Sequence, residues 1–297
     1  MYKYETTVDI YNDKFEVPVG YKICLMPNTE FEILKCRYTY INKYEGNSYF
    51  LISYYTHEDN LNKAEKIIKD SLNLISFLIN IPFSSEWIRK GKVNSIPDIR
   101  YNKSEKKVNT IALLNEELSQ IRKKRGMFEN CMKLYATGVQ FLYADSFLEE
   151  SFMCFFKIVE IIAKDEYELS NNRNYQRNSK SIILNILHQV LSCYGVIYPE
   201  NKLDELAGEI SNKIYTKVFD EIYAKIAWTC THYEIRYDPK MLKEIVRSRN
   251  TLAHGENANM DLDKCGKVLD LAKEFVNKKF FDEKHIPKLI TVKTPII

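Results

Sequence analysis

The sequence is poor in residues that loosen or break a chain, with 9 glycines and 8 prolines among 297 residues. That scarcity excludes a collagen-like repeat, a long flexible linker and an intrinsically unfolded chain. Long apolar runs are also missing. The two best, Leu72–Phe83 and Phe152–Ile162, are interrupted by Asn73, Asn80, Lys157 and Glu160. Neither approaches the roughly 20 apolar residues of a bilayer-spanning helix, so no membrane partner is expected. There is no Cys-x-x-Cys or His-x-x-x-His pair, no glycine-rich phosphate loop and no Gly-x-Ser-x-Gly elbow. A zinc site, a nucleotide hydrolase and a serine hydrolase are therefore without support, and no cofactor or metal is expected. An excess of one charge is absent too: the net charge is +3, so any nucleic-acid site must come from local clustering. The seven cysteines are odd in number and scattered, with Cys131, Cys154 and Cys193 on apolar stripes. With no secretory leader at the N-terminus, free thiols in a reducing cytoplasm are expected.

What the chain does have is aromatic residues, 21 Tyr and 15 Phe, many of them early in the sequence. Residues 1 to about 56 read as strands. The clearest is Phe31–Ile41, where Leu34, Cys36, Tyr38 and Tyr40 alternate with Lys35, Arg37 and Thr39, giving one buried and one wet face. Turn chemistry at Asn12-Asp13, Pro27-Asn28 and Glu45-Gly46-Asn47 separates it from its neighbours. The period changes at Asp59, where a helix begins that stops near Pro82. Residues 84–107 show little periodicity and carry Arg89, Lys90, Lys92, Arg100, Lys103, Lys106 and Lys107, which reads as a surface linker.

From Val108 onward the pattern is helical, with expected helices at 108–125, 127–144, 146–168, 178–194, 201–231 (broken), 239–254 and 260–279. Asp145-Ser146, with Glu149 beyond, supplies a capping box for the third. The expected fold is α+β. A small, mostly antiparallel β domain with one helix covers residues 1–84, and a basic linker covers 85–107. A helical domain covers 108–285, and an extended tail over 286–297 lies against the N-terminal sheet.

One stretch carries chemistry: Arg247-Ser248-Arg249-Asn250-Thr251-Leu252-Ala253-His254-Gly255. It ends a predicted helix, with Gly255 placed to stop it. The string Arg-Asn-x-x-Ala-His-Gly between two late helices resembles the signature of the HEPN superfamily. It is most similar to a prokaryotic branch that carries a separate β-containing N-terminal domain. The resemblance implies a helical bundle that dimerises with its motifs facing each other, with Arg249 and His254 as the catalytic pair and Asn250 as their polar companion. It also implies an endoribonuclease of the kind used in defence against phage or as a toxin.

The chemistry of the residues agrees with that implication. RNA can be cut without a metal because its own 2′-hydroxyl attacks the adjacent phosphorus. An imidazole suits the general base near neutral pH, and a guanidinium can hold two phosphoryl oxygens at once. The products would be a 2′,3′-cyclic phosphate and a 5′-hydroxyl. Geometry adds a constraint: five residues along a regular helix is about 500°, which sets the two side chains about 140° apart. A distorted last turn at His254, or a homodimer with a composite site, would bring them to one phosphate. The plain structural alternative is a histidine at a helix end beside an arginine paired with Glu244 or Glu256.

Three further candidates stand beside the motif. Glu160 interrupts an apolar helix face and is placed to position Arg249, or else sits at an edge. The run Arg122, Lys123, Lys124 and Arg125 is a candidate RNA contact, or a set of cations at a helix C-terminus. Arg247 is a further candidate phosphate contact. Two other functions stay open: a non-catalytic module that binds a nucleotide or protein through the same residues, and an adaptor that meets a regulatory protein partner through its N-terminal sheet.

Overall fold

A computed structural model describes residues 1–9, 21–23, 28–41, 48–83, 87–99, 116, 118, 125–144, 147–171, 175–214, 221–281 and 290–292. In chain order the elements begin with β1 (Tyr2–Asp9), β2 (Tyr21–Ile23), β3 (Glu30–Ile33), β4 (Cys36–Ile41), β5 (Tyr49–Thr56), α1 (Leu61–Ile79) and β6 (Arg89–Lys92). They continue with α2 (Arg125–Tyr143), α3 (Leu148–Asn171), α4 (Tyr175–Cys193), α5 (Glu200–Ile214), α6 (Ile222–His232), α7 (Pro239–Ala253), α8 (Leu262–Phe280) and β7 (Ile290–Val292). The fold is α+β, an antiparallel sheet with a helix followed by a helical region. Two compact units form, Met1–Ile158 with Asn259–Ile297, and Val159–Ala258, with the boundary inside α3.

In the first unit the sheet runs β3-β4-β5-β1-β6, antiparallel throughout. The single strand expected over Phe31–Ile41 is in fact two strands. Leu34 and Lys35 take φ +48° and +68° and turn the chain so that Ile33 faces Cys36. Positive φ at both central residues is the turn that suits the twist of paired strands. Leucine and lysine pay a steric penalty there of roughly 1–2 kcal/mol each. Packing across the hairpin offsets it: the Phe31 and Tyr38 rings stack at 5.2 Å, and both meet Phe50 edge-on. Arg37, expected on the wet face, is buried. It donates to the Pro97 carbonyl at 2.6 Å and lies over the Tyr55 ring.

The stretch read as a linker contains an edge strand. β6 pairs with β1, and Lys90 forms an ion pair with Asp59. Backbone pairing needs no apolar side chains, and lysines on an edge discourage further strands from adding. Arg100, Lys103, Lys106 and Lys107 lie outside the described residues, as do most of the helix expected at 108–125, the cap at Asp145-Ser146 and the turns at Asn12-Asp13 and Glu45-Gly46-Asn47. Ile290–Val292 of the tail form β7, which pairs with β2 in a separate two-stranded sheet.

Helix α1 is capped by Asn60, whose side chain accepts from the Lys63 N–H, and ends at Asn80 in the left-handed region. It is held on the sheet by a 2.6 Å hydrogen bond between the Tyr38 and Ser71 hydroxyls. Its other side meets α2, where Phe77 contacts Tyr135 at 5.0 Å. The Asn80 side chain accepts from Tyr135 at 2.6 Å and from Lys273 at 3.1 Å. In α2, Gly138 permits a close approach of α3: a Cβ there would stand 2.8 Å from the Phe155 ring. Burial pushes the Cys36 and Cys131 thiols up to about 12. Cys193, expected on an apolar stripe, is exposed.

In the second unit, α4 and α5 make an antiparallel hairpin, pinned by Lys180–Asp204 at 2.6 Å and His188–Glu200 at 3.1 Å. In the rest of α3, Ile162 and Tyr167 are buried, as are Ile226 and Cys230 of α6 and Leu242 of α7, and Tyr167 meets Trp228 of α6 edge-on at 5.5 Å. The break expected within 201–231 has residues 215–220, between α5 and α6, outside the described residues. Among the described residues, no helix is long and apolar enough to cross a membrane.

Candidate active site

Helix α7 starts from Asp238, whose carboxylate accepts from the Lys240 N–H at 2.9 Å, with Pro239 in the first turn. Both features favour a helix start at this point. Leu242, Ile245 and Val246 are buried, and the next position on that stripe, three residues beyond Val246, is Arg249. Helical periodicity therefore turns the Arg249 stem inward, leaving the side chain 28% exposed.

The residue waiting there is Glu160 of α3. Its side chain is only 6% exposed. Arg249 Nη2 lies 3.4 Å from Glu160 Oε1, and Arg249 Nη1 donates to Asn250 Oδ1 at 3.2 Å. Lys164, one turn along α3, donates to the same Glu160 oxygen at 2.9 Å. A buried carboxylate between two cations has the charge compensation that burial demands. The contact to Arg249 is longer than a well-formed N–H···O bond, so it acts mainly as a charge pair that orients the guanidinium.

The helix stops one residue before His254. The Gly255 N–H bonds to the Leu252 carbonyl at 3.0 Å and the Glu256 N–H to the Thr251 carbonyl at 3.1 Å, with Gly255 at φ +76°. This pair of bonds is the left-handed helix cap that glycine favours. It leaves His254 exposed in the cap position. Among the described residues its ring makes no hydrogen bond or ion pair. The structure thus gathers Arg249, Asn250 and Glu160, and holds His254 nearby in sequence but open to solvent. Arg249 thus meets an acid 89 residues away in sequence.

The other candidates are dispersed. Arg247 is exposed on α7. Arg125 begins α2 and pairs with Glu129 at 2.8 Å. Arg122, Lys123 and Lys124 lie outside the described residues. Arg125 also borders a cavity of about 430 Å³ in the first unit, floored by Leu34, Ile67, Phe128 and Met132. Burial and the nearby Glu129 raise the Asp70 carboxyl in that cavity.

Sequence reasoning overlooked Lys164, although Glu160 and Lys164 stand at the four-residue spacing of a helical ion pair. It also left His232 isolated. The His232 ring stacks on Trp228 at 4.9 Å and sits 3.9 Å from Glu166, with Tyr167 edge-on to the same indole. Burial, reinforced by Glu166, pushes the neighbouring Tyr233 hydroxyl well up.

Residues 143–283 match the family model described as RiboL-PSP-HEPN. This segment, a little under half of the chain, is similar to the HEPN superfamily. The HEPN segment runs from the end of α2 through α8, so it contains Glu160, Lys164, Arg249, Asn250 and His254 together. The five-stranded sheet and α1 fall outside it. The likeness to HEPN domains points to RNA cleavage or nucleotide binding as the class of activity. Comparisons with curated proteins and with solved structures give no match.

Proposed function

We propose that this protein is a metal-independent endoribonuclease that acts as a homodimer with a composite site. The observation that supports this reading most is the triad of Glu160, Arg249 and Asn250 beside an exposed His254. A buried acid orients a guanidinium, and an imidazole stands uncommitted at the helix end.

In the proposed reaction His254 takes the proton of the attacking 2′-hydroxyl. The O2′–P bond forms as the P–O5′ bond breaks, leaving a 2′,3′-cyclic phosphate. The departing O5′ takes a proton from water, which the His254 imidazolium then restores, and the composite site joins the Arg249 of one copy to the His254 of the other. Arg249 neutralises the charge that builds on the phosphoryl oxygens. Asn250, held by Arg249, presents its amide N–H groups to the same phosphate. Arg247 and the basic run Arg122–Arg125 supply phosphate contacts further along the strand. Residues 1–84 form a docking or regulatory domain for a protein partner, and the activity serves phage defence or growth arrest.

The test is cleavage of RNA in EDTA by the wild type, Arg249→Ala and His254→Ala. Cyclic phosphate ends in the wild type alone are expected. Cleavage that persists in both variants overturns the site. Tight nucleotide binding with no cleavage of any RNA moves the protein to the binding class.

A further inference from the structure

The cavity in the first unit is built against one face of α1. Ile67, Asp70 and Asn73 follow one another at three-residue intervals and line it. Ala64, Ile68, Leu72 and Ile75, on a different face of the same helix, are buried in the core. Phe128 and Met132, one turn apart on α2, form a second wall, and Leu34 of the β3–β4 turn forms a third. The volume of about 430 Å³ falls inside the roughly 300–1,000 Å³ of pockets that hold small organic ligands. Leu34 and Lys35, both at positive φ, stand at its edge, and strained backbone of this kind clusters at ligand clamps.

Two polar groups converge on the apolar floor. Asp70 and Asn73 are half-buried, and among the described residues neither side chain makes a hydrogen bond or ion pair. The surrounding charges do not neutralise Asp70. Burial and the neighbouring Glu129 raise its carboxyl, and the opposing pull of Lys66, Arg125 and Lys69 is weaker. Arg125 is already held by Glu129 at 2.8 Å, and Lys35 is exposed at the turn. A carboxylate in apolar surroundings without a partner is stabilised by a cation that brings N–H donors. The amide oxygen of an asparagine beside it accepts from the same cation.

We propose that this cavity binds a small organic cation, an amine carried on an aromatic or branched apolar body. The ammonium group donates to Asp70 and to the Asn73 amide oxygen, and the body lies against Ile67, Phe128 and Met132. An anionic ligand is rejected because it meets Asp70 and Glu129 together. Every lining residue belongs to the first unit and none to the segment 143–283, so the site stands whether or not the Arg249–His254 pair cuts RNA.

The probe is tryptamine, an ammonium on an indole, titrated into the full chain at pH 7 and followed by ligand NMR. Tryptophol, with a hydroxyl in place of the ammonium, and indole-3-propionate, with a carboxylate, are the controls. Tryptamine is expected to bind at least about 10-fold more tightly than tryptophol, the worth of one charge-assisted hydrogen bond, with indole-3-propionate the weakest. Asp70→Asn should weaken tryptamine about 10-fold and leave tryptophol within about two-fold, and Asn73→Ala should weaken tryptamine about five-fold. Asp70→Asn removes an unpaired acid and keeps its shape, so the fold survives it, and an unfolding transition at pH 7 checks this. The proposal is overturned if tryptamine fails to bind, if it binds no better than tryptophol, or if its affinity is untouched by Asp70→Asn. A preference for indole-3-propionate gives the cavity to anions and also overturns it.

Discussion

Replacing Glu160 by glutamine keeps the volume and an acceptor at that position but removes the charge that faces Arg249. At 3.4 Å, two unit charges in a medium of effective dielectric 20 attract by about 5 kcal/mol before desolvation is counted. Desolvating the buried carboxylate consumes several of those kcal/mol, and the half-exposed Lys164 readily turns to water, so a net loss of about 1–2 kcal/mol is expected. If that energy orients the guanidinium at the transition state, kcat for RNA cleavage falls about 10-fold in Glu160→Gln. KM stays near its wild-type value, since Glu160 touches no phosphate. Arg249→Ala loses more, about 100- to 1000-fold. The decisive measurement is the double variant. With Arg249 gone there is nothing left to orient, so adding Glu160→Gln should lower kcat by less than about two-fold further. A double variant that loses the product of the two single effects refutes the argument, and so does a Glu160→Gln enzyme with unchanged kcat.

Other consequences concern the scaffold. Gly138→Ala would ordinarily strengthen a helix, but its Cβ would meet Phe155 at 2.8 Å and Cys154 at 3.1 Å; urea denaturation should show a net loss of about 1–3 kcal/mol, and any gain would contradict the packing. Two helix ends should respond with opposite signs. Gly255→Ala, at φ +76°, should lose about 1 kcal/mol or more, while Glu234→Gly, at φ +58°, should gain about 1 kcal/mol in the same assay. Asp70 is raised by burial and by Glu129, so the folded chain holds its proton more tightly than the unfolded chain does. The penalty is absent below the usual carboxylate range and appears as pH rises through it. Asp70→Asn should therefore raise Tm at pH 7 and leave it unchanged near pH 3, and equal Tm gains at both would refute the assignment.

Helices were legible because periodicity is local. The expected spans 239–254 and 260–279 match α7 and α8 to within two residues at each end. The β3–β4 turn was not, because Leu34 and Lys35 lack turn chemistry and are forced to positive φ by aromatic packing across the hairpin and onto α1. β6 was hidden for another reason: Arg89-Lys90-Gly91-Lys92 has no strand-like pattern and owes its conformation to the free edge of β1. Within the site, Glu160 stood out as an acid in an apolar helix face. Its meeting with Arg249, 89 residues away, is a product of the fold that spacing alone does not specify.

The site's two halves are held differently, and that difference bears on how many chains build it. Arg249 is fixed from within by Glu160, whereas His254 is exposed at a helix end, about 140° around from Arg249 on a regular helix. Mixing Arg249→Ala with His254→Ala protein and allowing subunits to exchange decides the matter. In a composite dimer, half of the dimers become mixed, and each of those has one site with both groups intact. Cleavage should then return to about a quarter of the wild-type rate. If one chain supplies both groups, no site is ever complete and the mixture stays inactive.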